Sequence, residues 1–161
     1  MNKEVFQQAV HTLRPQMTAL AMHYLADQDD AEDAVQDALI RMWQMHEQMH
    51  PPIDGLAKVL TRNICIDMLR RRHTTHAPDL AEEADDEATA DQERIERMMA
   101  AVDTLPQLQQ TILRLRHMQG MEMKELAAML QMNEAAVRKA LSRARMTVRD
   151  IYLKQQRYEQ Q

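Results

Sequence analysis

Disulfide chemistry is closed to this chain of 161 residues, because it holds a single cysteine, Cys65. Within one chain that excludes a disulfide framework and a cysteine-built zinc finger, and it leaves Cys65 as a small apolar packing residue on a helix. Two glycines and five prolines give little material for turns, and aromatics at 3% starve a sheet of the residues it favours. No run of 18 or more apolar residues reads as a membrane span. Residues 1–5 lack the basic-then-apolar start of an export signal, so the expected location is cytoplasmic. What is abundant suits helices: 45% hydrophobic residues, 28% charged residues and fifteen methionines. The expectation is an all-α globular protein with no transmembrane part.

The net charge of −5 argues weakly against a nucleic-acid partner, but the charge is sorted into blocks. Residues 27–37 hold six acids and no base. Residues 58–72 hold Lys58, Arg62, Arg70, Arg71 and Arg72 against Asp67 alone. Nine acids then face only Arg94 over 79–96, and eight bases face three acids over 112–149. Between about 73 and 92 the apolar periodicity lapses and Pro78 interrupts, which reads as an extended, self-repelling linker. Three parts follow: a domain over 1–73, an acidic linker over 74–92 and a second domain over 93–161. Domains this small are marginal on their own and gain from docking on a partner.

Amphipathic helices are expected near 3–26, 29–49 and 53–73, with Pro15 starting or kinking part of the first. Asp29 or Asp30 is the expected cap of the second, and Pro51-Pro52 separates it from the third. Leu56, Val59, Leu60, Ile64, Met68 and Leu69 follow a 3.6-residue period on the third. The second domain reads as helices near 92–103, 106–117, 122–130 and 134–153. Thr104 and Gln107 stand at capping-box spacing, and Gly120 is a helix stop. The helix ending at Leu130, the turn 131–133 and a long basic helix capped by Asn133 form a helix-turn-helix pattern. On the long helix Val137, Leu141, Ala144 and Val148 mark the buried face. Arg138, Lys139, Ser142, Arg143, Arg145 and Arg149 are left for base edges and phosphates.

His46-Glu47-Gln48-Met49-His50 matches the H-E-x-x-H zinc pattern. Pro51 ends the helix directly afterwards, no third ligand stands nearby, and no strand pattern exists to bind a substrate, so both histidines read as exposed residues at a frayed end. No metal or cofactor is expected. The methionines fall at core-facing spacing and read as flexible packing residues, without a site.

These motifs together resemble the extracytoplasmic-function group of the sigma-70 family of RNA polymerase sigma factors. Residues 30–43 (DAEDAVQDALIRMW) look like the family's clamp-binding helix. Residues 60–72 (LTRNICIDMLRRR) look like its helix for the downstream promoter element, and 105–145 like its domain for the upstream element. The resemblance implies a non-enzymatic factor that directs core RNA polymerase to promoters. Asp33, Gln36, Asp37 and Arg41, with Ile40 packing within or beside them, would meet the clamp of the largest subunit, and the flap is a second implied contact. Lys58, Arg62, Arg70, Arg71 and Arg72 would neutralise phosphates of the melted strand, while Asn63 lies where relatives read a flipped base at the −10 element. Arg138, Lys139, Ser142 and Arg143 would face the −35 element, with Arg145 and Arg149 on phosphates. Trp43 is assigned to packing. An anti-sigma factor, often membrane-anchored in the family, is a further implied partner, although no residue here points to one. Gln131 stands where many relatives have Gly in the turn, at about 1–2 kcal/mol if left-handed, and Asn133 replaces the usual Ser or Thr cap. The competing readings are a helix-turn-helix regulator that binds duplex DNA without polymerase, and a zinc hydrolase.

Overall fold

A computed structural model describes residues 1–76 and 86–160, and every regular element in them is helical. The helices are α1 (Lys3–Leu25), α2 (Gln28–Gln44), α3 (Asp54–His76), α4 (Asp86–Asp103), α5 (Gln107–His117), α6 (Met123–Leu130) and α7 (Glu134–Glu159), with a single 3-10 turn at His46–Gln48. Among the described residues, no helix is long and apolar enough to cross a membrane.

The chain divides into two compact units, the first built on α1–α3 with Met129–Gln131 grouped with it, and the second on α4, α5, α7 and the rest of α6. In the first, all three helices pack on one another. Helix α1 starts where the Asn2 carboxamide oxygen accepts the Val5 N–H at 2.9 Å. It buries Phe6, Leu13, Met17, Ala21 and Leu25, and it runs through Pro15 without ending. It stops at Ala26, which is left-handed at φ 54° and donates its N–H to the Met22 carbonyl. Helix α2 buries Ala31, Ala34, Val35, Ala38 and Met42. Three alanines in that seam remove side-chain bulk and let its backbone lie close to its neighbours. Its cap is Asp27, which accepts the Asp30 N–H at 3.0 Å, and not the expected Asp29 or Asp30. Both of those stand in the first turn, where a carboxylate favours the helix dipole without capping it. Helix α2 is also shorter than expected, because the 3-10 turn replaces its last residues.

On α3 the buried seam is Leu56, Ala57, Leu60, Thr61, Ile64 and Cys65, with Val59 and Met68 half-buried. Leu69, expected on this face, is exposed, because the seam drifts toward the small residues Ala57, Thr61 and Cys65. Thr61 is tolerated there because its hydroxyl donates to the Ala57 carbonyl at 2.7 Å. Burial pushes the Cys65 thiol pKa up, which keeps it protonated and unreactive.

The linker expected over 74–92 is shorter in regular structure. Residues 74–76 end α3 and 86–92 open α4, while 77–85 lie outside the described residues. Alanine, glutamate and glutamine there are good helix formers, and acids suit a first turn, so the acidity that suggested a linker is compatible with a helix.

In the second unit α4 and α5 pack on α7, around Ala101, Val102, Leu108, Ile112, Leu115, Val137, Leu141, Ala144 and Val148. Arg97 reaches Glu159 at 2.6 Å, tying α4 to the end of α7, and Arg114 pairs with Asp103. The expected capping box at Thr104 and Gln107 does not form. The Thr104 hydroxyl donates instead to the Ala101 carbonyl at 2.7 Å, closing α4, and Gln107 donates to Thr111. Pro106 precedes α5 with no side-chain cap. Gly120 is left-handed at φ 65°, in the loop after α5.

Candidate nucleic-acid interface

Helix α6, the turn and α7 form the helix-turn-helix. Gln131 is left-handed at φ 56° in the turn, so the chain accepts a cost of about 1–2 kcal/mol at a non-glycine residue. Met132 N–H donates to the Ala127 carbonyl at 3.0 Å, and the Asn133 side chain accepts the Ala136 N–H at 2.7 Å. These two bonds fix where α7 begins. Its inner face is the expected one, with Val137, Leu141, Ala144 and Val148 buried.

Two exposed stripes run along the rest of α7. Arg138, Ser142, Arg145 and Arg149 recur at i, i+4, i+7 and i+11, and Lys139 and Arg143 lie one turn apart on the neighbouring stripe. All six are exposed. Arg138 is drawn back toward Glu134 at 3.7 Å, an exposed pair worth little. The second stripe continues into Met146, which is 63% exposed and so departs from the core-facing expectation for the methionines. The first stripe turns toward α5. The Arg145 Nε–H donates to His117 Nε2 at 2.9 Å. The helix-turn-helix thus assembles all the upstream candidates on one helix, with Arg145 and Arg149 at its α5 flank.

That flank borders a groove that the sequence did not disclose. It has a volume of about 530 Å³ and lies between α4, α5 and α7. Met98, Met99, Val102, Leu113, Met118, Val148 and Tyr152 line it together with Arg114, His117, Arg145 and Arg149. Met98 and Met118 are exposed, again against the expectation that the methionines are core residues. The available signal was the apolar spacing Ile95, Met98, Met99 and Val102 on α4, which is wider than its partners can cover.

In the first unit, Asp33, Gln36, Asp37 and Ile40 recur at i, i+3, i+4 and i+7 and are all exposed, so they form one face of α2. Ile40 is 48% exposed, an apolar side chain inside an acidic surface. Arg41 is half-buried and engaged by other groups, to the side of that face. Trp43, one turn beyond Ile40, is 41% exposed, and its ring lies stacked on His46 at 4.1 Å and tilted on Phe6 at 5.5 Å. Packing therefore accounts for only part of Trp43. His46 is not the exposed residue expected, because the stack and a 2.6 Å hydrogen bond from its Nδ1 to the Trp43 carbonyl hold it, while His50 is exposed. No group of three metal-ligating side chains exists among the described residues, and Met49, between the two histidines, is buried.

On α3, Lys58 and Arg62 are exposed one turn apart. Arg70 is exposed, Arg71 pairs with Asp67 at 3.1 Å, and Arg72 is half-buried and paired with Asp30 at the start of α2. Among the downstream candidates, Arg71 and Arg72 are thus already held by carboxylates. Asn63 is half-buried, with its side-chain oxygen enclosed and unpaired.

Residues 9–75 match the model of sigma-70 region 2, and residues 95–148 match that of sigma-70 region 4. The "Probable RNA polymerase sigma factor RfaY" of Xanthomonas campestris is 32% identical over 92% of this chain and 40% of its own length. The ECF RNA polymerase sigma factor SigE of Mycolicibacterium smegmatis is 29% identical over 84% of this chain and 56% of its own. The chain therefore spans about half or less of these curated relatives. The sigma factor RpoE, solved with the anti-sigma factor NepR from Bartonella quintana, aligns over 92% of this chain and 96% of its own at 19% identity and a TM-score of 0.42. With region 2 on the first unit and region 4 on the second, in that order, the chain belongs to the extracytoplasmic-function group of the sigma-70 family.

Proposed function

We propose that this chain binds core RNA polymerase and directs it to promoters, performing no chemistry of its own. The observation that carries the reading is the Asp33, Gln36, Asp37 and Ile40 face of α2. An acidic face is repelled by DNA, and with an exposed isoleucine at its end it suits a protein surface. A regulator that binds duplex DNA unaided has no use for it.

The clamp of the largest polymerase subunit would take this face, with Arg41 at its edge. The melted −10 strand would lie along α3, its phosphates on Lys58, Arg62 and Arg70, and Arg71 and Arg72 would join them on leaving Asp67 and Asp30. A base read through Asn63 would meet its amide nitrogen, unless the side chain turns to free the covered oxygen. Helix α7 would enter the major groove at the −35 element, with Arg138, Lys139, Ser142 and Arg143 toward base edges. Arg145 and Arg149 would reach phosphates from the flank. The apolar groove between α4, α5 and α7 fits an amphipathic helix, and the polymerase flap is its proposed occupant. An anti-sigma factor is a proposed partner on family grounds alone.

In vitro transcription with core polymerase on a promoter library tests the whole reading. Selective initiation that requires both core and this chain is expected. Tight sequence-specific binding to duplex DNA in the absence of polymerase, with no effect on initiation, would sink it.

A further inference from the structure

Arg145 shares its exposure with the other arginines of α7, yet its side chain is also bonded to another helix. Its Nε–H donates to His117 Nε2, 28 residues earlier on α5, at 2.9 Å. An arginine offers five N–H donors in a planar fork. Engaging Nε constrains the guanidinium plane and leaves its end edge, one N–H from each terminal amino group, directed elsewhere than at the histidine. We propose that His117 is a positioning residue that presents the Arg145 fork to a phosphate of the upstream promoter element. The proposal rests on the reading that α7 binds promoter DNA.

The bond sets a condition on the imidazole. Nε2 accepts only while it carries no proton, so His117 must be neutral with its hydrogen on Nδ1. The surroundings favour that state. Burial, then the charge of Arg145, then that of Arg116, hold the His117 pKa below the ordinary histidine value. Arg145 and Arg149 from α7, and Arg114 from its own helix, line the groove with it. What α4 brings to the groove is apolar: Met98, Met99 and Val102. Among the described residues no carboxylate lines the groove to favour the imidazolium. The native state thus prefers the neutral ring, and the pair is intact above the ordinary histidine pKa. The native ring stays neutral as the pH falls past that value, and only on reaching the lowered one does Nε2 gain a proton and stop accepting, the cationic ring then repelling the guanidinium.

A neutral histidine that acts through an arginine leaves a signature that a packing defect does not. The slope of log affinity against log salt changes by about 0.9 for each phosphate of duplex DNA that the protein ceases to neutralise. Holoenzyme assembled from core polymerase and the full chain would be titrated with a duplex carrying the upstream element over a salt series, for wild type, Arg145→Ala, His117→Ala and His117→Gln. Assembly with core would be measured separately for each. Arg145→Ala should flatten the slope by about 0.9, the value of one phosphate. His117→Ala should flatten it nearly as much although it removes no charge, and His117→Gln, whose amide oxygen can accept from Nε, should restore it. In the free chain, imidazole NMR should show His117 titrating at higher pH in Arg145→Ala than in wild type.

If Arg145→Ala flattens the slope and His117→Ala does not, the inference about His117 fails while the DNA reading stands. If Arg145→Ala leaves the slope unchanged, or weakens assembly with core instead, the fork does not meet a phosphate and the underlying assignment of Arg145 fails. An unmoved His117 titration in Arg145→Ala would mean that the two side chains do not meet in solution, which also overturns the proposal.

Discussion

Single residues carry the local decisions of this fold, and two of them do so against conformational preference. Ala26 ends α1 in the left-handed region, exposed and bonded only through its backbone. Glycine accepts that conformation without the Cβ penalty, partly offset by the extra freedom it gains when unfolded. Ala26→Gly should therefore stabilise the first unit by about 0.5–1 kcal/mol in denaturant unfolding; an unchanged or lower midpoint would refute the strain. Arg143 bears on the proposed function at this scale. It is exposed on the stripe it shares with Lys139, which is proposed to face base edges. Arg143→Ala should cost about 1–3 kcal/mol of upstream-element recognition, read as lost initiation from promoters that depend on that element. Equal output from all promoters would remove Arg143 from the groove.

At the scale of elements, the sequence was most legible where a pattern runs over several turns. The inner face of α7, the three-residue turn and the Asn133 cap follow from spacing alone, because one helix face and one local bond decide them. Ends were less legible, because several side chains of the right type compete there. Asp27, Asp29 and Asp30 can all cap α2, and only the backbone path selects Asp27. Thr104 can cap α5 or close α4, and it closes α4. The groove was least legible, since three helices contribute to it and no local period encodes their meeting. On α2, Gln36 and Asp37 face outward while Ala34, Val35 and Ala38 form the seam. Replacing Gln36 and Asp37 together with alanine should weaken core binding and leave the thermal transition unchanged within about 0.5 kcal/mol. Full recovery of polymerase in a pull-down would argue against the α2 face.

Over the whole molecule, the net charge of −5 is the sum of regions with different work to do, so it says little about DNA binding. The acids stand on α2 and in the stretch around α4, and the bases stand on α3, α5 and α7. The second unit leaves an apolar groove open between α4, α5 and α7, a form suited to a small domain that docks on a partner. The groove gives this a test. Met98 lines it from α4, is 48% exposed, and lies off the α7 stripes assigned to DNA. Met98→Asp should lower holoenzyme assembly while the fold of the second unit persists by circular dichroism. Assembly at wild-type affinity would leave the groove without its proposed occupant.

Trp43 is the chain's one tryptophan, and its half-open indole lies stacked on His46 a turn beyond Ile40. Its fluorescence therefore comes from a single place, the end of the α2 face. A partner that covers this end strips water from the indole and shifts its emission to the blue, and one that engages only α7 leaves it unchanged. The protein carries its own optical probe for one of its two proposed engagements, with no label attached.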